Sequence, residues 1–369
     1  MTRVVAVVVA VFAAATTARA QGFSFTPSFG IVQLYDDNVF YLPHGESDTV
    51  TRANSRLEAG YRSERLTFWS RYGLDSDRFD RHPELTTAHA RQDAGLEHRY
   101  QASRRLSFTG AASYVETEAP AELNVQSALA PGRSRAQRTT IHPSMSYQAG
   151  PSTTATFGYT VSGDRLLGVQ AFTQAATASV EHRQSARDTV RVDVTHQQFV
   201  FNQQDRQMSQ ALTAEWTRDL TRGTTIAFRG GPRLTAGSLS SDVAASLRRK
   251  TRAGETSISY EHTQASLIGL VGVADTHSLT AGMSSQPRQG LRFRLAPGLL
   301  RTTQMNLAST VYRLSAGYSQ DIGARVLFEA AYELNLQRGN IYTSQSIDTI
   351  RRHVAMVRLV ATSTPARRQ

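Results

Sequence analysis

The stretch SRLEAGYRSERLTFWSRYGL, residues 55–74, decides the fold. Leu57, Ala59 and Tyr61 alternate with Arg56, Glu58, Gly60 and Arg62. After Ser63 and Glu64 the alternation resumes, with Leu66, Phe68, Ser70, Tyr72 and Leu74 on one side against Thr67, Trp69, Arg71, Gly73 and Asp75. Side chains of a strand change sides at every residue, whereas a helix returns apolar residues at i, i+3 and i+4. The stretch therefore reads as a hairpin of two strands with one apolar and one polar face.

Working outward, the same unit recurs over residues 96–114, 141–159, 177–194, 212–228, 243–260, 279–295 and 314–334. Tight turns interrupt these units near 102–103, 150–151, 185–186, 221–223, 253–254, 287–290 and 321–323. One strand precedes the hairpins, 22–34, and one follows them, 350–361. The expectation is an all-β chain of about 18 strands, with about 16–18 as the range because strand boundaries are weak signals. A propeller also repeats near 40 residues, but its blades hold four shorter strands. Two long strands per repeat suit a tilted crossing of a bilayer, which takes about 9–11 residues.

The architecture this predicts is a transmembrane antiparallel up-and-down β-barrel. An even strand count puts both termini at one end. The tight turns then face the periplasm and the longer connections, 35–52, 76–87, 116–136 and 338–349, face outward.

At the N-terminus, Arg3, an apolar run over 4–15 and the small residues Ala18 and Ala20 form a secretory signal peptide, residues 1–20. The barrel is assigned to 21–361 and a polar tail to 362–369; that tail lacks the terminal aromatic common in barrel assembly signals. There is no cysteine, which removes thiol chemistry and Cys-ligated metal. Mean hydropathy is −0.36, a value that alternation would hide in any barrel. The formal charge of +11 falls to +9 without Arg3 and Arg19, and Lys250 is the one lysine. The arginines recur singly inside alternating segments instead of clustering, so nucleic acid is not an expected partner. Outer-membrane lipid is.

Alternation also assigns the faces. Leu57, Tyr61, Leu66, Phe68, Tyr72, Leu106, Phe108, Tyr114, Phe157, Tyr159, Trp216, Phe228, Tyr260, Phe293, Tyr318, Phe328 and Tyr332 fall on the lipid side. The polar face supplies a pore lining of Arg56, Glu58, Arg71, Arg91, Asp93, Arg191, Asp193, Arg229, Arg292, Arg294, Arg313, Glu329 and Arg358. Arg62, Arg99, Arg233, Asp75, Glu97, Glu215, Glu261 and Glu333 extend it. A barrel of this size leaves an aqueous interior, and the arginine excess favours anions or acidic sugars.

Catalysis has thin support. The loop around His44, Glu46, Ser47 and Asp48 holds the residue types of a hydrolase without the spacing of a nucleophile elbow. Asp77, Asp80, His82 and Glu84 are the acids and histidine of a conceivable rim protease. No phosphate loop or metal-binding helix motif is present, and no cofactor is expected.

The first strand runs into Tyr35, Asp36, Asp37, Asn38, Val39 and Phe40. This segment resembles the opening of the β-barrel porin type 2 family, whose relatives accompany exopolysaccharide export in Gram-negative bacteria. The resemblance implies a channel that passes or helps secrete polysaccharide, with an anionic polysaccharide and periplasmic export components as partners. A general diffusion porin is the alternative, and an outer-membrane hydrolase a third. Chemically, Asp36, Asp37 and Asn38 can end a strand through bonds to their own backbone, and the same oxygens suit a calcium ion or sugar hydroxyls.

Overall fold

The alternation closes on itself. A computed structural model describes residues 22–305, 307–339, 341–342 and 349–363. The expected signal peptide and the tail beyond Ser363 lie outside the described residues. The strands, in chain order, begin with β1 (Phe23–Asp36), β2 (Asp48–Arg62), β3 (Leu66–Phe79), β4 (Thr87–Gln101), β5 (Leu106–Thr117) and β6 (Ala136–Gln148). They continue with β7 (Thr153–Leu166), β8 (Val169–Arg183), β9 (Asp188–Phe201), β10 (Asp205–Thr221), β11 (Thr224–Thr235) and β12 (Ser238–Lys250). The last six are β13 (Gly254–Ser266), β14 (Val273–Arg288), β15 (Leu291–Gln304), β16 (Leu307–Asp321), β17 (Val326–Arg338) and β18 (Ile350–Thr362).

Each strand pairs antiparallel with its chain neighbours, and β18 returns to β1, giving a closed 18-stranded barrel. Closure leaves no free edge, which is the condition for a sheet in lipid. The outer surface carries large exposed apolar side chains such as Phe157 and Val194, both 54% exposed. That surface requires hydrocarbon around it, so the chain is an outer-membrane protein.

The strands are longer than alternation alone indicated. They run 12 to 17 residues, from β5 to β10. Three of the four long connections shrink accordingly, to 37–47, 80–86 and 118–135, and the fourth is 339–349. The extra residues include polar pairs that alternation of apolar residues could not register: Arg52 and Asp77, expected in loops, are ladder partners in β2 and β3. The eight connections at the other end are all short, as expected.

Direct partners across an antiparallel ladder lie on the same face, so register carries a face assignment around the barrel. Asp36, Val50, Arg52 and Asp77 line one cavity together with residues of β16, β17 and β18, and so mark the inner face. Buried apolar clusters gather at the extracellular end of that face, including Val39, Val50 and Phe79 on one side and Ala171, Phe199 and Phe201 on another.

Candidate channel and its constriction

The connection 118–135 turns into the barrel. The expectation of an extracellular loop is corrected here: the segment leaves β5 at the mouth and then packs inside it. Its Leu123 joins Ala136, Leu166 and Ile268 in one buried cluster. Its Leu129 joins Leu267, Ala274, Leu300, Val311 and Ile341 in another. These residues come from β6, β7, β14, β15 and β16, from the connection before β14 and from the connection after β17. Backbone inside a barrel needs partners, and a loop rich in alanine and leucine can bury apolar groups there.

Asn124 is the fastening point. It is 2% exposed. Its Nδ2 donates to the Leu129 carbonyl at 3.1 Å and to the Tyr342 hydroxyl at 2.7 Å. Its Oδ1 accepts from the Ile268 amide at 3.1 Å. The Tyr342 hydroxyl donates in turn to the Ile268 carbonyl at 3.0 Å, and burial pushes the Tyr342 phenol up from its ordinary value. Three connections, 118–135, 267–272 and 339–349, therefore meet at one side chain. Further ties run from the Ala130 amide to Gln337 Oε1 at 3.1 Å and from Arg138 Nη1 to the Leu123 carbonyl at 2.5 Å. The Arg133 guanidinium lies 4.8 Å from the Phe79 ring centroid, and Arg91 pairs with Glu122.

The loop divides the interior. Cavities of about 440, 410 and 500 Å³ surround its tip, and Val125 lines all three while being 71% exposed. Toward the periplasmic turns the inner face carries Ser, Thr, Gly and charged residues, such as Glu58, Gly95, Arg99 and Thr109.

All thirteen residues assigned to the pore from the sequence fall by register on the inner face. Arg56, Arg71 and Arg91 surround Asp93 at 3.9, 4.0 and 3.7 Å. Gly73 opposite Asp93 makes room for that carboxylate, since a Cβ there would lie 2.7 Å from Oδ1. Arg191 binds Asp193 at 2.7 Å. Arg229 reaches Asp242 and Glu261, each at 3.1 Å. Arg313 faces Glu333 at 3.8 Å and Arg358 faces Glu329 at 3.3 Å. Glu58, Arg292 and Arg294 have no ion-pair partner among the described residues. Arg292 and Arg294 stand opposite Ser319, Gly317 and Ser284, so no carboxylate neighbours them in register.

Pairs that the sequence did not single out include Arg138 with Asp164 and the buried Arg233 with Asp242. Both arginines keep the inward parity, and that parity was the available signal.

The Tyr35–Phe40 motif is consumed by the barrel's own construction. Asp36 accepts from Arg352, Asp37 Oδ1 accepts from the His353 amide at 2.6 Å, and Asn38 Nδ2 donates to the Arg351 carbonyl at 2.9 Å. Local bonds are also present: the Asn38 amide donates to Asp36 Oδ1 at 3.1 Å and the Leu42 amide to Asn38 Oδ1 at 2.9 Å. Val39 packs on Val50 and Phe79, and Phe40 meets His82 edge-on at 5.1 Å. Tyr35 points outward, half exposed. The described residues form no metal-binding cluster.

The hydrolase candidates do not assemble. Ser47 Oγ accepts from Arg81 Nη1 at 3.2 Å. His82 is held between Asp48 Oδ2 and Glu46 Oε2, each at 2.9 Å. These two carboxylates, Glu46 foremost, hold the His82 imidazole above its ordinary value. Asp48 also accepts the Arg81 and His82 amides. No serine approaches a histidine here in the manner of a nucleophile and its base.

No family model matches the chain, and no curated protein matches it. Among solved structures, OccAB4 from Acinetobacter baumannii is similar in fold, with a TM-score of 0.50 at 7% identity over 93% of this chain and 98% of that one. OprD from Pseudomonas aeruginosa matches with a TM-score of 0.46 at 10% identity, over 94% and 97% of the two chains. An anion-selective porin from Comamonas acidovorans matches with a TM-score of 0.42 at 9% identity, over 92% and 99%.

Proposed function

We propose that the chain is a diffusion channel for small hydrophilic solutes across the outer membrane, with the 118–135 connection setting its aperture. The observation that carries this reading is the loop fastened inside the lumen through Asn124. The spaces left around it, about 440 Å³ and similar, fall in the range of small-molecule sites, about 300–1,000 Å³. Most lumenal arginines are neutralised by adjacent carboxylates, and Arg292 and Arg294 supply a local positive wall. A mild preference for anions follows.

Polysaccharide export has weaker support. A polymer would need the loop withdrawn from the lumen, and the residues that resemble an export-associated family are occupied in closing the barrel. Conductance in planar bilayers tests the proposal. The intact chain should give discrete steps, and removing residues 123–133 should enlarge them. Silence from both forms would sink the channel reading. A loss of exopolysaccharide on deletion of the chain, with small-solute uptake intact, would favour export instead.

A further inference from the structure

A row of cationic and hydrogen-bonding side chains crosses the outer wall over β13–β17. In register, His262 pairs with His277, His277 with Arg301, Arg301 with Thr310, and Thr310 with Arg338. Each is one residue from a lumenal position, so the row faces outward; Thr276, beside His277, is buried on the inner side. The imidazoles of His262 and His277 stack at 4.2 Å, with planes 5° apart. The Tyr260 hydroxyl and His277 Nδ1 are 3.0 Å apart. The Arg338 guanidinium sits 5.6 Å from the Tyr312 ring centroid. Asp275 is the acid of this sector, 3.9 Å from His262. No carboxylate lies within ion-pair distance of Arg301 or Arg338 among the described residues, and both side chains are exposed.

The row lies at the extracellular edge of the apolar belt. One step toward the periplasm, the same five strands present Tyr260, Leu279, Leu299, Tyr312 and Leu336. Cations held against lipid without a protein counter-charge need an anion from the membrane. Arg301 and Arg338 are two strands apart, about 10 Å, so both long side chains can converge on one phosphate. A row nearer the middle of the neighbouring sector, Ala176, His196, Gln210 and Leu234 on β8–β11, contains no arginine. Outward arginines elsewhere, Arg165 on β7 and Arg206 on β10, are exposed but lie closer to the mouth and outside any such row of histidine and threonine.

We infer that this sector binds the phosphorylated headgroup of a glycolipid in the outer leaflet. Arg301 and Arg338 would hold phosphate, His262, His277 and Thr310 would offer sugar contacts, and the acyl chains would lie on Leu279 and Leu299. The inference rests on the outer-membrane placement and is independent of the channel reading.

The test uses the folded full chain in detergent, titrated with bisphosphorylated lipid A and followed by native mass spectrometry. One lipid should be retained per barrel, and the phosphate-free form should bind about tenfold more weakly or worse. Arg301→Gln with Arg338→Gln should produce a comparable loss, and Arg165→Gln with Arg206→Gln, on β7 and β10, should not. Gel mobility of unheated samples verifies that each variant is folded, and the comparison of the two lipid forms on the unaltered chain needs no variant. Equal binding of the phosphate-free lipid, undiminished binding by the Arg301 and Arg338 variant, or equal loss in the Arg165 and Arg206 variant would each overturn the inference. Competition by phosphatidylglycerol at matched concentration would also overturn it, by assigning the wall to any anionic lipid.

Discussion

Arg352 grips Asp36 across the seam where the last strand meets the first, with Nε 3.0 Å from Oδ1 and Nη2 2.6 Å from Oδ2. The guanidinium also lies 4.2 Å from the Tyr41 ring centroid. Only residues 28–36 of β1 pair with β18, whereas 23–36 pair with β2. The shorter ladder is reinforced at its extracellular end by this ion pair and by the Asn38 bond to the Arg351 carbonyl.

Replacing Asp36 by Ala should therefore destabilise the folded barrel by about 3–5 kcal/mol, because it leaves a partly buried guanidinium without its counter-charge. Pairing it with Arg352→Met should recover much of the loss. Urea unfolding in micelles, followed by tryptophan fluorescence, measures both. Equal losses in the single and double variants would contradict the assignment.

Asn124→Ala removes three hydrogen bonds, two of which join the 118–135 connection to its neighbours at the mouth. Each partner left unsatisfied costs about 1–3 kcal/mol, so the loop should leave its inward position part of the time. Single-channel records should show larger and noisier steps than those of the intact chain. Unchanged step size and noise would mean that Asn124 does not hold the aperture.

Arg292→Gln together with Arg294→Gln should shift ionic preference away from anions. The reversal potential under a potassium chloride gradient is the readout, and the permeability ratio should change by about two-fold or more. Substituting Arg191, which Asp193 already neutralises, should change it less. If both variants shift the potential equally, the idea of a local positive wall fails.

The His82 clamp between the 37–47 and 80–86 connections should weaken as pH rises. Its folded value is raised above the ordinary 6.5 by Glu46 and Asp48. The stabilisation is thus fully present below 6.5 and is lost as pH climbs through the raised value. Amide exchange of Arg81 and His82, corrected for the intrinsic pH effect, should be faster at about pH 9 than at about pH 5. His82→Gln should abolish the difference. Asp48 keeps its backbone bonds at either pH, so the connection should loosen without detaching.

Alternation at period two was enough to determine the all-β class, the hairpin order and which residues share a face, though not where the strands end. A strand's face is a local property: Leu57 and Arg56 must point apart wherever the strand goes. The even strand count likewise set both termini at one end. Other features came from contacts between residues remote in the chain. Asn124 and Ile268 meet across 144 positions, and Asp36 and Arg352 across 316. Nothing in the alanine-rich composition of 118–135 states whether that segment points out to solvent or into the lumen. Its direction is decided by the apolar sockets at Leu166, Leu300 and Val311, which exist only once the barrel has closed. The same holds for the charges. The sequence placed the arginines on the inner face, but which of them stay free depends on register and on the inserted connection, since carboxylates on neighbouring strands or on that connection, such as Glu122, come within reach only in the closed barrel.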